Sequence, residues 1–346
     1  MRNLEPKRGS LCLLPHPTGL GGPASFAARL VAGLNRHGFE IAQDPLAPGV
    51  QAILVMGGTR HMDWVWRAKR RGVRIVQRLN GMNWVHRRRF TGVRTFIKAE
   101  VANWILSTTR RFLADRIIYQ SRFTRDWWQK AFGPVPASSQ VIYNGVDLDA
   151  FSPDGEGCPP DDKKRILMVE AHLGGGMEPG LENAVRLLRQ LNHAGSQAWE
   201  LLVAGDVPLE VQARWSAQGD GMLKFAGIVP RDQVPVIDRS AHMLFSADLN
   251  AACPNSVIEA LACGLPVIAF ATGALPEMVI DGAGKVVAYG SDYWNLEPPV
   301  MEPLAQAAVE VAVAQTGFRR DARARAQSAF DIRQVVDAYL EVLLGS

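Results

Sequence analysis

The chain has 346 residues, which favours two domains over one, because a single hydrophobic core stops growing well before this length. Hydrophobic residues make up 47% and charged residues 21%, so the sequence is too apolar for a disordered chain and too evenly interrupted by charge for a membrane bundle. The net charge of +4 hides a basic stretch at residues 60–130, where eighteen Lys and Arg stand against four Asp and Glu, giving +14 locally and −10 for the rest.

The first half of the chain alternates predicted strands and helices, which is typical of a parallel sheet covered by helices. Apolar residues that recur at spacings of three and four predict three helices, and short apolar runs predict five buried strands. The helices are Ala24–His37, Thr95–Leu113 and Thr124–Phe132, and the strands are Ser10–Leu14, Ile53–Met56, Val73–Arg78, Arg116–Gln120 and Gln140–Tyr143.

A stretch rich in Pro, Gly and Asp follows Val146 and sustains neither strand nor helix, so we predict the domain boundary at residue 153. A second alternating series comes after it, with strands near Ile166–Glu170, Trp199–Ala204, Leu223–Ala226, His242–Ser246, Val267–Ala271 and Lys285–Ala288, and helices at Leu181–Ala194, Ser256–Cys263, Pro303–Ala314 and Ile332–Leu344. We therefore predict an α/β protein with two Rossmann-like, doubly wound parallel-sheet domains facing across a cleft. The first is 1–153, the second 154–330, and 331–346 is a separate terminal segment.

The loop after the first strand contains Gly21 and Gly22 and leads into a helix, where free backbone N–H groups and the helix dipole favour an anion. Gly19, Gly21 and Ala24, with Glu40 further on, also fit a loose dinucleotide pattern that would indicate a dehydrogenase. Three prolines make the loop longer and stiffer than that tight turn requires, so we favour a phosphate site of another kind. A purely structural turn is the remaining alternative.

Two acids, Asp147 and Asp149, follow the turn signal Asn144-Gly145. Paired carboxylates can bind a divalent cation, but acids in an exposed turn are usually only solvated. We expect no metal site. The four cysteines form no Cys-x-x-Cys pair, which favours free thiols in a reducing compartment.

The segment Cys253-Pro254-Asn255-Ser256-Val257-Ile258-Glu259 is the most informative part of the sequence. Asn255 or Ser256 can cap a helix whose free N–H groups then form an anion site. Glu259 comes one turn later in a mostly apolar helix, where a lone carboxylate needs a partner. A carboxylate at this offset can accept hydrogen bonds from both ribose hydroxyls while a diphosphate lies at the helix terminus.

Taken in order, the motifs of this chain resemble those of the family 4 retaining glycosyltransferases, from about residue 10 to residue 344. Pro254–Ala260 followed by Gly264–Val267 is the most specific of them. The others are Gly21-Gly22, Ala114–Ser121, Val141–Asp147, Leu202–Asp206, Phe225–Gly227 and Thr272–Glu277.

This resemblance implies the two-domain GT-B fold and transfer of a sugar from a UDP- or GDP-sugar to a glycan or lipid-linked acceptor, with retention and without a metal or other cofactor. Glu259 would bind the ribose, Gly21 and Gly22 would approach the donor phosphates, and Ile332–Leu344 would cross back to the first domain. The family places the donor in the C-terminal domain and the acceptor mainly against the N-terminal one. The leaving diphosphate would assist the acceptor, so the protein would mainly position two substrates.

Two departures from the family pattern bear on the chemistry. The usual Glu eight residues before the ribose-binding one is Ala251 here, so Asp248, Asn250 or the backbone around Cys253 would contact the sugar. The usual Arg and Lys after the first strand of the second domain are absent from residues 170–180. Gly174, Gly175 and Gly176 would replace them as an N–H nest, with charge from His172 or from Arg60, Arg78 or Arg122 of the first domain.

The end of the predicted strand Val73–Arg78 supplies the catalytic candidates Arg78, Asn80 and His86, since family members often place a histidine near the sugar and strand ends bind ligands in α/β proteins. The full donor-binding set that we expect is Gly21, Gly22, His172, Gly174, Gly175, Gly176, Asn250, Cys253, Pro254, Asn255, Ser256, Val257 and Glu259.

The basic stretch 60–130 is interleaved with Trp64, Trp66, Trp84, Phe90, Phe96, Trp104 and Phe112. This combination fits an anionic membrane surface, an acidic polysaccharide or nucleic acid, and the alternative is a soluble face whose aromatic residues belong to the core. No nucleic-acid-binding module is recognisable, and the family resemblance implies a lipid-linked or polymeric glycan acceptor at the cytosolic membrane surface.

No apolar run reaches membrane-spanning length, and the one near the N-terminus is too short for a signal peptide, so we expect a cytoplasmic protein. The basic stretch and the family resemblance together imply peripheral association with the inner face of the membrane and a role in polysaccharide biosynthesis. The alternatives to a glycosyltransferase are a catalytically silent GT-B scaffold and another nucleotide-sugar enzyme such as an epimerase.

Overall fold

A computed structural model describes residues 9–16, 21–90, 92–173, 179–195, 197–218 and 221–345. The chain divides into two compact units. The N-terminal unit comprises the described residues up to Gly145 together with those from Ile332 onward, and the C-terminal unit comprises those from Val146 to Asp331. Each unit contains a six-stranded sheet whose strand pairs are all parallel, which confirms the predicted α/β class.

The sheet of the N-terminal unit has the strand order β2-β1-β3-β4-β5-β6. Such an order requires a crossover between successive parallel strands, and helices supply most of these crossovers. The strands are β1 (Gly9–Leu14), β2 (Phe39–Ala42), β3 (Val50–Met56), β4 (Arg74–Leu79), β5 (Arg116–Tyr119) and β6 (Ser138–Val141). The helices are α1 (Gly22–Arg36), α2 (Met62–Arg70), α3 (Val93–Thr108) and α4 (Arg122–Phe132), with a 3₁₀ turn at Val85–Arg87 and a π-helical turn at Thr109–Leu113.

The last helix, α12 (Ile332–Leu344), packs in the core of the N-terminal unit, and its bounds match the prediction from the sequence. Val335, Val336 and Tyr339 are buried there with Phe26 of α1. Gly33 permits the close approach of α1 to α12, because a Cβ atom at this position would lie 2.3 Å from Cγ2 of Val336.

The sheet of the C-terminal unit has the strand order β12-β11-β10-β7-β8-β9. Its first strand is therefore central, and the chain crosses over on both sides of it. The strands are β7 (Lys164–His172), β8 (Trp199–Asp206), β9 (Leu223–Gly227), β10 (Met243–Ser246), β11 (Val267–Phe270) and β12 (Gly284–Val287). The helices are α5 (Pro179–Ala194), α6 (Leu209–Ser216), α7 (Val234–Arg239), α8 (Asn255–Ala262), α9 (Leu275–Met278), α10 (Glu302–Val313) and α11 (Gln315–Ala329).

The observed division lies at Gly145, before the boundary that we predicted at residue 153. The backbone N–H of Val146 donates to the carbonyl of Phe330 over 2.8 Å, and the side chain of Arg323 donates to the carbonyls of Leu148 and Phe151. These hydrogen bonds attach residues 146–151 to the C-terminal unit. The Pro- and Gly-rich stretch marks irregular backbone inside that unit rather than the division itself.

In the part of the chain that the structure describes, no helix combines the length and the apolar character needed to cross a membrane.

Candidate functional site

Helix α8 begins at the carboxyl edge of the C-terminal sheet, in the segment that the sequence singled out. Pro254 occupies its cap position, and no side chain caps the helix. The side chain of Pro254 cannot accept a hydrogen bond, so it does not cap the first turn of α8. Val257 is buried and holds α8 against the core, while Asn255 and Ser256 are half-buried. The helix terminus is thus a partly accessible source of positive potential.

The loop that leads into α8 contains an unsatisfied buried amide. Asn250 is only 4% exposed and has a left-handed backbone, with φ of 56°. Neither its Oδ1 nor its Nδ2 has a hydrogen-bond partner among the described residues, and the same is true of the Oγ1 of buried Thr272. Buried polar groups without partners are rare in folded proteins and call for a specific explanation. A bound ligand at this loop would supply it.

The turn after β11 packs directly on this loop. The backbone N–H of Ala274 donates to the carbonyl of Ala251 over 2.8 Å. Gly273 has φ of 58°, and a Cβ atom there would lie 2.5 Å from the nitrogen of Ala251 and 2.7 Å from the carbonyl carbon of Asn250. Only glycine fits at this position. The Thr272–Glu277 motif therefore fixes the conformation of the Asn250 loop, and Cys253 is buried at the end of that loop.

Glu259 is half-buried on α8 and lies near a second carboxyl group, that of Asp238 on α7. Asp238 is almost fully buried, and burial raises its pKa well above the usual range, with a further increase from the charge of Glu259. A hydrogen bond between Asp238 and Cys263 opposes the shift. Burial therefore favours the neutral form of Asp238 beside Glu259.

Two neighbouring strand ends of the C-terminal sheet carry carboxyl groups. Glu170 lies near the end of β7, and Asp248 follows β10, the strand paired with β7. Burial raises the pKa of Glu170 well above its usual range, and the charge of Asp248 raises it further. A protonated Glu170 can donate a hydrogen bond, whereas an ionised one would repel a phosphate.

His172 ends β7, and its Nδ1 lies 2.9 Å from Oδ2 of Asp206 at the end of β8. Both side chains are about half exposed, at 54%. The predicted glycine nest, Gly174, Gly175 and Gly176, lies outside the described residues.

In the N-terminal unit, Gly21 caps α1 and the helix begins at Gly22 with Pro23 in its first turn. Gly21 has extended backbone and, like Pro254 at α8, offers no side chain that could cap the helix. Residues 17–20 of this loop lie outside the described part of the chain.

Arg78, a catalytic candidate, is buried at 3% exposure near the end of β4. Its guanidinium lies 4.2 Å from the ring centre of Phe26, and its Nη2 donates to Oδ1 of Asn144 over 2.5 Å. Its Nε has no partner among the described residues. Asn144 belongs to the Val141–Asp147 motif, so one function of that motif is to hold a buried arginine.

His86 and Asn80, the other two catalytic candidates, have different surroundings. His86 is buried, and its Nε2 lies 2.7 Å from Oε1 of Glu100 on α3. Arg87 donates to the same carboxylate, and these two hydrogen bonds lower the pKa of Glu100 to about 2. His86 therefore belongs to an ion-pair network that attaches the 3₁₀ turn to α3. Asn80 is exposed, and its carbonyl accepts from the indole N–H of Trp128.

Among the described residues, no group of three or more His, Cys, Asp or Glu side chains is arranged to hold a metal ion. The acids of the Asn144–Asp149 turn form an Asx turn, in which Oδ1 of Asp147 accepts from the backbone N–H groups of Asp149 and Ala150.

The structure thus brings together Asn250, Ala251 and the start of α8 with the Thr272–Glu277 turn, and it pairs His172 with Asp206. The sequence did not single out Thr272 as a side chain, nor Glu170 as a partner of Asp248. The sequence offered one signal for them: Glu170 ends a predicted strand, and Thr272 directly follows another.

Two parallel-sheet α/β units with helix termini at their carboxyl edges define a two-domain GT-B protein, and the solved structures agree. A sucrose-phosphate synthase from Thermosynechococcus elongatus matches with a TM-score of 0.72 at 16% identity, over 98% of this chain and 100% of that one. WaaG, a glycosyltransferase involved in lipopolysaccharide biosynthesis, matches with a TM-score of 0.70 at 14% identity, over 97% and 100%. HepE from Anabaena, solved with UDP and glucose, matches with a TM-score of 0.66 at 14% identity, over 98% and 100%.

Two family models match successive parts of the sequence. The model for glycosyltransferase family 4 matches residues 13–150, and the model for glycosyl transferases group 1 matches residues 171–312. The chain therefore belongs to glycosyltransferase family 4, as its motifs predicted.

Curated relatives match over only part of their length. A GDP-mannose-dependent alpha-(1-6)-phosphatidylinositol monomannoside mannosyltransferase from Mycolicibacterium smegmatis is 29% identical over 214 residues, which is 56% of this chain and 53% of the relative. A 2-deoxystreptamine glucosyltransferase from Streptomyces kanamyceticus is 29% identical over 166 residues, 43% of this chain and 41% of the relative. The matches thus span only about half the length of these relatives.

Proposed function

We propose that this protein is a retaining glycosyltransferase that moves a sugar from a UDP- or GDP-sugar to a glycan or lipid-linked acceptor. The observation that carries the proposal is the buried, unpaired amide of Asn250 beside the uncapped start of α8. Family membership makes a nucleotide-diphosphate sugar the natural ligand for such a site. A relative that uses GDP-mannose and a structural neighbour solved with UDP and glucose support the donor class.

Each donor group has a proposed partner in the C-terminal unit. The diphosphate lies at the first turn of α8, where N–H groups and the helix dipole favour negative charge. Glu259, one turn further along α8, accepts hydrogen bonds from the ribose hydroxyls. Asn250 and the hydroxyl of Thr272 bind the transferred sugar, taking the place of the glutamate that Ala251 replaces.

The diphosphate needs stabilisation that does not come from Arg or Lys in residues 170–180. A protonated Glu170 would donate a hydrogen bond to a phosphate oxygen, and the Gly174–Gly176 segment with His172 would add further donors. We propose that these donors act without a metal ion, so a chelator should leave the activity unchanged.

The reaction that we propose forms a bond between an acceptor hydroxyl oxygen and the anomeric carbon on the face from which the diphosphate leaves. The bond from that carbon to the phosphate oxygen breaks, and the departing diphosphate takes the acceptor proton. The protein then contributes mainly position and electrostatic stabilisation. In the N-terminal unit we propose that the start of α1, at Gly21 and Gly22, binds an anion. We also propose that Asn80, which is exposed, contacts a substrate in preference to His86, which is held by Glu100.

A nucleotide panel read by thermal shift tests the donor site. We expect UDP or GDP to raise the melting temperature, because a ligand at about 100 times its Kd stabilises the folded state by about 2.7 kcal/mol. Glu259→Ala should abolish the rise and Asn250→Ala should reduce it for the nucleotide sugar more than for the bare nucleotide. Glu182→Ala, which removes an exposed glutamate on α5 of the same unit, is the matched control and should leave the rise intact.

Activity separates this proposal from its alternatives. Slow hydrolysis of the donor in the absence of acceptor supports a competent enzyme, whereas binding without any turnover supports a silent scaffold. Conversion of the donor to an isomeric nucleotide sugar supports an epimerase. No melting shift with any nucleotide, in a folded protein, refutes the donor site itself.

A further inference from the structure

The exposed apolar side chains of this protein are concentrated in one part of the N-terminal unit. Of the seventeen large hydrophobic residues that are exposed in the described chain, ten lie between Trp64 and Phe112. Six of the seven aromatic residues noted in the basic stretch are among them, so the alternative that they belong to the core is wrong. Scattered exposed apolar residues are normal, but a concentration of this kind marks an interaction site.

Helix α3 carries the centre of this surface. Val93, Ile97, Val101 and Trp104 are spaced four, four and three residues apart, so they share one helical face. Their exposed fractions are 66%, 56%, 49% and 62%. A helix on a soluble domain normally turns such a stripe inward. Here it faces the solvent, along a helix about 24 Å long.

The inner side of α3 is held rigidly to the domain. The side chain of Asn103 exchanges hydrogen bonds with the backbone of Asn83, and the carbonyl of Leu106 accepts from Gln77. Glu100, at the edge of the outward stripe, pairs with His86 and Arg87, which ties that edge to the 3₁₀ turn as well. The outward stripe is therefore a fixed feature of the folded domain. Two further aromatic side chains flank the helix, Phe90 at 85% exposure before it and Phe112 at 65% after it.

Positive charge surrounds the apolar stripe. Arg94 and Lys98 lie beside it on α3 and are exposed. Thirteen of the eighteen basic residues in the stretch 60–130 are exposed: Arg60, Arg67, Arg70, Arg71, Arg87, Arg88, Arg89, Arg94, Lys98, Arg111, Arg116, Arg122 and Lys130. We call the stripe with Phe90, Phe112, Arg94 and Lys98 the α3 face.

We propose that the α3 face docks the protein on an anionic lipid bilayer, with the stripe inserted between headgroups and the arginines and lysines against lipid phosphates. Apolar side chains with a basic surround are the composition of helices that lie in a membrane interface. The inference rests on the proposed function in one respect, because it names the surface where a lipid-linked acceptor would be met.

The charge and shape of the face disfavour other occupants. A second copy of the chain would bring two faces of like charge together, which is repulsive. A soluble polyanion would satisfy the charges and leave the apolar stripe in water. A bilayer satisfies both features.

Flotation of the full chain with vesicles tests the proposal. We expect binding to phosphatidylcholine vesicles that contain phosphatidylglycerol and little binding to phosphatidylcholine alone, with binding that weakens as ionic strength rises. Arg94→Glu with Lys98→Glu should weaken binding by at least about 30-fold, since each basic residue near a membrane contributes about a factor of five. Ile97→Ser with Trp104→Ser should weaken it by about tenfold or more.

Each double variant has a matched control in the C-terminal unit. Arg214→Glu with Arg231→Glu changes the net charge by the same amount at two exposed positions. Leu209→Ser with Val313→Ser removes two apolar side chains that are 82% and 83% exposed. Both controls should bind vesicles like the parent. The nucleotide-induced melting shift, measured without vesicles, should be unchanged in all four variants, which separates this proposal from the donor site.

Several results would overturn the proposal. The first is that the protein binds both kinds of vesicle equally or binds neither, and the second is that the α3 variants and the control variants lose vesicle binding equally. The third is that the protein binds a soluble polyanion such as heparin more tightly than anionic vesicles. The fourth is that the protein forms a dimer in solution that the Ile97 and Trp104 changes dissociate. Loss of the nucleotide shift in every variant would instead count against the donor site and leave the vesicle result to be judged alone.

Discussion

The contact between the Thr272–Glu277 turn and the Asn250 loop is tested most directly by Gly273→Ala. Gly273 has φ of 58°, and an added Cβ atom would lie 2.5 Å from the nitrogen and 2.6 Å from the oxygen of Ala251. A left-handed backbone costs alanine about 1–2 kcal/mol. Relief of the contact with the Ala251 backbone should cost about 1–3 kcal/mol more, as for other overpacked sites. We therefore expect Gly273→Ala to reduce the free energy of unfolding by about 2–5 kcal/mol.

Gly227→Ala is the matched control. Gly227 ends β9 in the same unit with φ of 71°, and nothing lies within 4 Å of its added Cβ atom. This variant isolates the backbone contribution of about 1–2 kcal/mol. Urea unfolding followed by circular dichroism measures both variants in the same transition. Because Gly273 shapes the Asn250 loop, its variant should also weaken nucleotide-sugar binding, whereas Gly227→Ala should not. Equal losses of stability in the two variants would refute the close approach that we describe.

Three further predictions concern buried polar groups. Asn144→Ala should reduce the free energy of unfolding by about 1.5–3 kcal/mol, because it removes a hydrogen bond from the buried Arg78 guanidinium, and urea unfolding should show the loss without a change in the nucleotide-induced melting shift. Glu170 takes up a proton on folding because its pKa is raised, so it makes stability fall as pH rises above the ordinary range of a glutamate, and Glu170→Gln should flatten that fall in unfolding curves across pH. His242 is buried with its pKa lowered to about 4, and its Nδ1 accepts from the N–H of Arg165. Its unfolded form gains a proton first as pH falls, so stability should decline between about pH 6.5 and pH 4, and a His242→Gln variant should show a smaller decline.

Apolar runs bounded by turns located most of the strands, because such runs have few other interpretations. The buried strand predicted at Gln140–Tyr143 is an exception, since β6 (Ser138–Val141) is largely exposed. The sequence missed β2 (Phe39–Ala42), a four-residue edge strand in which only Phe39 is buried. It predicted α12 at its observed bounds because apolar residues recur along one face of Ile332–Leu344.

The apolar pattern of the sequence did not predict helix α11, because tertiary hydrogen bonds hold this helix in place. Its sequence is rich in arginine, and its arginines donate to main-chain carbonyls elsewhere in the unit. Arg319 donates to Ala241, Arg323 to Ala262, and Arg325 to Met278. Periodicity of apolar residues does not register contacts of this kind. The boundary near residue 153 failed for a related reason, since Arg323 also holds the segment that follows Gly145.

The candidate site could likewise be predicted only in part from the sequence. A helix that begins near Asn255, with Glu259 one turn inside it, could be predicted from residue types and spacing alone. The burial of Asn250 and Thr272 could not, because it depends on a turn from one strand packing on a loop from the next. The pairing of Glu170 with Asp248 likewise depends on β7 lying beside β10, which are far apart in sequence. Arg78, a catalytic candidate by position, is instead held by Asn144 and Phe26.

The two proposed binding surfaces use different physical forces, and this follows from where the chain places its charges. The donor site combines helix N–H groups, an uncharged amide and a carboxyl with a raised pKa, so short hydrogen-bond contacts dominate it. The α3 face lies in a stretch of local charge +14 at the protein surface, where long-range attraction dominates. Salt at high concentration screens exposed charges far more than buried hydrogen bonds. We therefore expect that a salt concentration high enough to release the protein from vesicles still leaves the nucleotide bound to it.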